Sequence, residues 1–182
     1  MTREQFWHGV CSPSSMTRRK SARTARIANP MNVHQFLRDR GIPFERILHQ
    51  PRYDAQRLAE TVEVSGREVA KTVLLRTEHD YLLAVLPATC QVDLGQVAQN
   101  LRATYVRLAT EAEIAERFSD CQVGAIPPFG SHYGLTTLVD SSLAGDEQIL
   151  FEGNTHDEAI RMGFEDFRRV EEPLVTCFAS EA

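Results

Sequence analysis

KTVLLRTEHDYLLAVLP, residues 71–87, decides the fold. Its first half is a leucine-rich, β-branched run with a single lysine at its head, as expected of a strand buried on both faces. EHD at 78–80 turns the chain, and YLLAVLP at 81–87 repeats the apolar run, so the segment reads as a β-hairpin at the centre of a sheet.

Working outward toward the N-terminus, Ser65-Gly66 leads into the hairpin through REVA, and Asp54 precedes AQRLAETV, a short helix. PFERILH before it is a strand. Asn32 caps a first helix whose Val33, Phe36 and Leu37 share one face and whose stop is Gly41. Toward the C-terminus, DLGQVAQNL is an amphipathic helix, TYVRLA a strand, and Thr110 with Glu113 a capping box for EAEIAERF. VGAIPPFG is a loop, and YGLTTLVD and EQILFEG are strands. Thr155 with Glu158 predicts a helix over HDEAIRM, and EPLVTCF closes the chain as one last strand. A tight hairpin combined with β-helix-β crossovers requires a mixed sheet. The expected architecture is α/β, a mixed, curved central β-sheet surrounded by short helices.

Bulk properties set the frame. A chain of 182 residues suits one domain, placed at 31–182, with residues 1–30 as a basic, disordered extension. The extension carries six basic residues and one acid, for +5. The whole chain is −5, so residues 31–182 carry −10. No apolar stretch approaches the roughly 20 residues needed to span a bilayer, so no membrane partner is expected. The four cysteines are scattered without zinc-ligand spacing; no metal and no cofactor are expected, and a reducing cytoplasm is the default compartment.

The candidates for chemistry start with Lys71. The chain has two lysines, Lys20 and Lys71, against eighteen arginines. Lys71 is either a strand residue whose stem lies on apolar surface, or a compact point charge kept where a guanidinium would not fit. GAIPPFG, residues 124–130, is a stiff turn whose glycines let backbone approach a ligand; a rigid connector would look the same. Asp140 caps a helical turn or serves as ligand contact or general base. EGN at 152–154 ends a strand and opens a helix, where free N–H groups can hold an anion. The histidines show no triad order, and phosphate-binding glycine motifs are absent.

Taken in order, AKTVLL, GAIPPFG, LVD and EGN resemble the YbaK/EbsC family and the editing insertion domain of bacterial prolyl-tRNA synthetases. HQPRYDAQ is similar to the family's N-terminal section. The resemblance implies a trans-editing deacylase that hydrolyses the ester of a mischarged tRNA, with an alanyl-, cysteinyl- or seryl-type ester as substrate. It implies positioning more than side-chain catalysis, the attacking water being helped by the substrate's own ribose hydroxyl. On it, Lys71 and Asp140 are the catalytic residues, and Thr72, Gly124, Pro128, Gly130, Gly153 and Asn154 bind substrate. The implied partners are the acceptor end of a mischarged tRNA and an aminoacyl-tRNA synthetase that lends affinity to an acidic body. The competing classes are a noncatalytic binding module for a nucleotide, amino acid or peptide, with Lys71 as anion anchor, and a synthetase-associated adaptor.

Overall fold

A computed structural model describes residues 30–50 and 68–181. The hairpin forms as expected: β2 (Ala70–Thr77) pairs antiparallel with β3 (Tyr81–Pro87). Its turn is held by Thr77, whose hydroxyl accepts from Asp80 N and donates to Asp80 O, both at 3.0 Å. β5 (Val106–Leu108) adds antiparallel to β2, while β6 (Thr136–Asp140) and β9 (Leu174–Thr176) continue parallel to β3 on the other side. The resulting mixed sheet has the order β5-β2-β3-β6-β9, with β3 in the middle. A second sheet is antiparallel, β1 (Phe44–Leu48), β8 (Glu158–Gly163) and β7 (Gln148–Glu152) in the order β1-β8-β7. β4 (Cys90–Val92) pairs with β10 (Ala179–Glu181) as a separate ribbon.

The two faces of the main sheet have different cover. One carries Leu75, Leu82, Ala84, Leu86 and Leu138, packed against Val97 of α2 (Leu94–Leu101) and Phe178. The other carries Val85 and Val139, which meet Ile149, Phe151 and Ile160 of the second sheet and Phe36 of α1 (Val33–Asp39). Phe129 lies at the middle of that core, fully buried, with its ring centroid 5.0 Å from Phe36 and 5.6 Å from both Phe151 and Phe167. The sheets also touch at the head of β2, where Val69 bridges to Leu150.

Local chemistry accounts for the helix boundaries. Asn32 accepts from Gln35 N to cap α1, and Asp93 accepts from Gln96 N to cap α2. Thr110 and Glu113 close the expected capping box of α3 (Glu111–Arg117). Gly41 ends α1 at a φ of 63°.

Three readings need correction. HDEAIRM is no helix: Glu158–Gly163 is the middle strand of the second sheet, hydrogen-bonded on both sides, and pairing from two neighbours overrides the local signal. Thr155 instead donates to the Asp157 carboxylate. Accordingly EGN opens a tight β7–β8 turn, closed by Gly153 N to Glu158 O at 3.0 Å, and no helix follows it. EPLVTCF splits into β9 and the approach to β10, which belong to different sheets. The sequence did not mark α4 (Phe164–Glu171), which buries Phe164 and Phe167. The helix expected over AQRLAETV and the basic extension lie outside the described residues.

Candidate functional site

Register fixes where Lys71 stands. It pairs with Leu86 and so shares the face of Val73 and Leu75, the one covered by α2. Its ammonium donates to the Ala88 carbonyl at 3.2 Å, tying the head of β2 to the residue after β3. Below it, a cavity of about 260 Å³ is walled mainly by Val73, Val92, Leu94 and Leu108, with Gln91 as its amide. Asp140 lies on the same face and at the same end: Val85 pairs with Val139, so Asp140 is one step beyond, beside Leu86.

Asp140 is 2% exposed and its carboxylate is fully engaged. One oxygen accepts from Ser142 N at 2.9 Å and Ser142 Oγ at 2.6 Å, the other from Phe178 N and Ala179 N at 2.7 Å each. Burial pushes its pKa up, but the Ser142 hydroxyl and the three backbone donors outweigh burial and hold it below the usual value. Asp140 braces the turn after β6 and the start of β10, and does not cap the helical turn Leu143–Gly145, whose N-cap Ser142 makes no side-chain cap bond. Thr72 points to the opposite face, and its buried hydroxyl has no hydrogen-bond partner among the described residues. Such an orphan costs stability in the unliganded protein and marks a place where a ligand could complete the set.

The loop 121–130 belongs to that opposite face, where Ile126 packs against Leu74 and Leu83 and Phe129 against Val85. It is pinned at both ends. At the first, Gly124 has a φ of 97°, and a Cβ there would sit 3.3 Å from Cε1 of His156. His156 is 4% exposed; its Nε2 donates to Val123 O at 2.8 Å and its Nδ1 meets Glu152 Oε1 at 3.1 Å. At the second end, Gly130 N donates to Thr137 Oγ1 at 3.1 Å, and that hydroxyl donates to Glu171. Glu171 also accepts from Ser131 N at 2.9 Å and Ser131 Oγ at 2.6 Å. Burial raises its pKa, against the pull of these donors. Gly130 admits no side chain, because a Cβ would lie 2.5 Å from Thr137 Oγ1. Pro128 and Gly130 are buried and Gly124 is exposed, so only the first end of the loop reaches solvent.

Gly153 and Asn154 join that first end. Gln122 N donates to Asn154 O at 2.9 Å, and Asn154 Nδ2 lies 3.2 Å from Cys121 Sγ. The Asn154 side chain also accepts from Val33 N and donates to Met31 O, each at 3.1 Å, with its backbone at a φ of 76°. Gly153 leaves room for a carboxylate, since a Cβ there would lie 2.6 Å from Glu158 Oε1. The structure therefore groups Gly124, Gly153 and Asn154, holds Gly130 and Pro128 behind them, and sets Lys71 and Asp140 across the sheet. Glu152, His156 and Glu171 were missed as supports. Their signal was a charged or imidazole group within or beside an apolar run, which is ambiguous without knowing the pairing.

Beside this group, a cleft of about 690 Å³ opens between α1 and the β7–β8 turn, with Arg38, Arg46, Asp120, Gly153 and Glu158 among its walls. Among the described residues no cluster of three His, Cys, Asp or Glu could hold a metal ion, and no helix is long and apolar enough to cross a membrane.

Comparison with known proteins adds three findings. The family described as "Aminoacyl-tRNA editing domain" matches residues 49–170. The Escherichia coli K12 protein called multifunctional Ser/Thr-tRNA deacylase ProXp-y is 26% identical over 151 residues, covering 80% of this chain and 90% of its own length. A solved structure described as a candidate trans-editing enzyme for prolyl-tRNA synthetase superposes with a TM-score of 0.74 at 20% identity. That superposition covers 82% of this chain and 95% of the other.

Proposed function

The chain belongs to the aminoacyl-tRNA editing domain family and is an aminoacyl-tRNA deacylase, and from that premise we propose that it removes a seryl- or threonyl-type residue from a mischarged tRNA in trans. The observation that carries the reading is the loop 121–130, fastened at one end by His156 and at the other by Glu171. A site of this kind works by holding an ester still.

In the reaction water attacks the ester carbonyl and the C–O bond to the ribose breaks. The leaving ribose oxygen takes a proton from the attacking water, by way of the neighbouring ribose hydroxyl. Gly124, at the exposed end of the loop, brings backbone close to the aminoacyl group, and Pro128 and Gly130 stiffen the wall from behind. Gly153 and Asn154 border the same group. Thr72 offers its buried hydroxyl, which has no partner among the described residues. Lys71 supplies a fixed positive charge and sets the Ala88 carbonyl at the head of β2, while Asp140 positions the β6 end through its hydrogen bonds. A synthetase partner would supplement affinity for an acidic body.

The test is a deacylation screen over a panel of mischarged tRNAs. Release of serine or threonine is expected, with Lys71→Ala lowering kcat/KM by about 100-fold, the scale on which a change away from the reacting atoms misplaces them. Lys71→Arg is expected to be nearly as damaging, because the planar fork is larger and differently hydrated. Full activity in Lys71→Ala would remove its assigned role, and no release from any tRNA in the panel would overturn the substrate reading.

A further inference from the structure

We propose that the cleft between α1 and the β7–β8 turn seats phosphates of the tRNA acceptor strand, with Arg38 and Arg46 as their contacts. The proposal rests on the deacylase reading and adds where the nucleic acid lies. The wall that carries both arginines lies N-terminal to the residues matched by the family, 49–170.

Charge commitment singles out this cleft. Eight of the ten described arginines are already engaged, five with carboxylates and three over aromatic rings. Arg38 and Arg102 are the two without such a partner among the described residues. Arg38, exposed in the last turn of α1, lines the cleft. Arg46 pairs with Glu158 at 2.6 Å while its side chain stays 51% exposed, and unlike the still more exposed Arg168 and Arg169 it lines the cleft.

The cleft's acids are held from within the fold, Glu158 by a guanidinium and Asp120 by neutral donors. Glu158 meets His34 with one oxygen and Arg46 with the other. Asp120 accepts from Tyr133 OH at 2.8 Å and from Met31 N at 2.5 Å. The uncommitted cation of the cleft is therefore the Arg38 guanidinium, flanked by Arg46, whose forked donors suit a phosphate. Gly153 and Asn154 line the cleft and also border the loop assigned to the aminoacyl group. A strand whose 3′ end enters that group would pass its phosphates along this wall. Only a narrow contact is needed, consistent with a body of charge −10.

The experiment compares Arg38→Glu with Arg102→Glu, two variants with the same change in net charge at two uncommitted arginines. Arg38→Glu is expected to raise KM for mischarged tRNA about tenfold near 0.1 M salt, leave kcat within about twofold, and flatten the log-log salt dependence of affinity by about 0.7 to 0.9. Arg102→Glu is expected to change none of these. A substrate cut down to the 3′-terminal aminoacyl-adenosine should not distinguish the two. Equal effects of the two variants on tRNA, or as large a rise in KM for Arg38→Glu on the truncated substrate as on tRNA, would overturn the proposal. Affinity for uncharged tRNA, read by fluorescence anisotropy with the same pair, tests the cleft even if the hydrolysis screen fails, so the two failures are separable.

Discussion

Asp140 carries four donors on two oxygens, two of them from the backbone that leads into β10. Asp140→Asn sets an amide N–H₂ against one pair of those donors, and a cost of about 1–3 kcal/mol is expected, measured as a lowered denaturant midpoint. The pH dependence has a definite sign. Because the folded value lies below the ordinary 3.8, the carboxylate's contribution is present at neutral pH and is lost as pH falls through the folded value. The Asn variant should therefore lose less stability than wild type on acidification below about pH 4. Gly124 sets a second test. Alanine at a φ of 97° is strained whatever the space, and here it also meets His156. Gly124→Ala is expected to cost about 1–3 kcal/mol and to lower kcat for deacylation, with thermal melts and single-turnover rates as the readouts.

At the scale of the element, α4 matters for what its last residue does. Glu171 fixes the Gly130–Tyr133 turn, so a helix away from the reacting groups sets the rear of the loop. Its folded pKa lies above 4.5, so the folded state holds the proton more tightly than the unfolded chain. The contribution of Glu171 to stability is greatest at low pH and declines as pH rises from about 4.5 through the folded value. Glu171→Gln can keep the contacts, its amide donating to Ser131 Oγ, and should melt at or above wild type at pH 8 while flattening that decline. Glu171→Ala leaves Ser131 N and Thr137 Oγ1 without their acceptor, and a loss of about 1–3 kcal/mol is expected.

The same scale shows what the sequence could convey. The hairpin, the cap at Asn32 and the capping box at Thr110 were readable because each is settled by residues within a few positions. β8 was not, since Thr155 and Glu158 have capping-box spacing while the deciding partners, Phe44–Leu48 and Gln148–Glu152, lie on other strands. The two clusters of site glycines were readable as glycines. Their supports were not, because His156 and Glu171 gain meaning only from residues 33 and 40 positions away. The separation of Lys71 from the loop across the sheet follows from strand parity, once the pairing with Leu86 is known.

For the whole molecule, Phe129 joins what the two sheets enclose. It belongs to the candidate loop, yet its ring fills the shared core. Phe129→Ala is expected to cost about 3–5 kcal/mol, and the loss should appear in one cooperative transition, with near-ultraviolet circular dichroism and fluorescence giving coincident curves. Separate transitions would mean that the sheets are held together less tightly than this core implies.

The reach of Asn154 has a consequence for the order in which the molecule assembles. Its side chain closes contacts across 121 and 123 residues, to Val33 and Met31, whereas the hairpin turn closes over three. Loop-closure entropy favours the short contact first, so β2 and β3 can pair early while the glycine group waits for distant segments. Mutations at the Thr77–Asp80 turn are then expected to slow refolding, and Asn154→Ala mainly to speed unfolding, as stopped-flow kinetics would show. A chain still emerging from the ribosome would hold its central strands before it possessed any place to bind an ester.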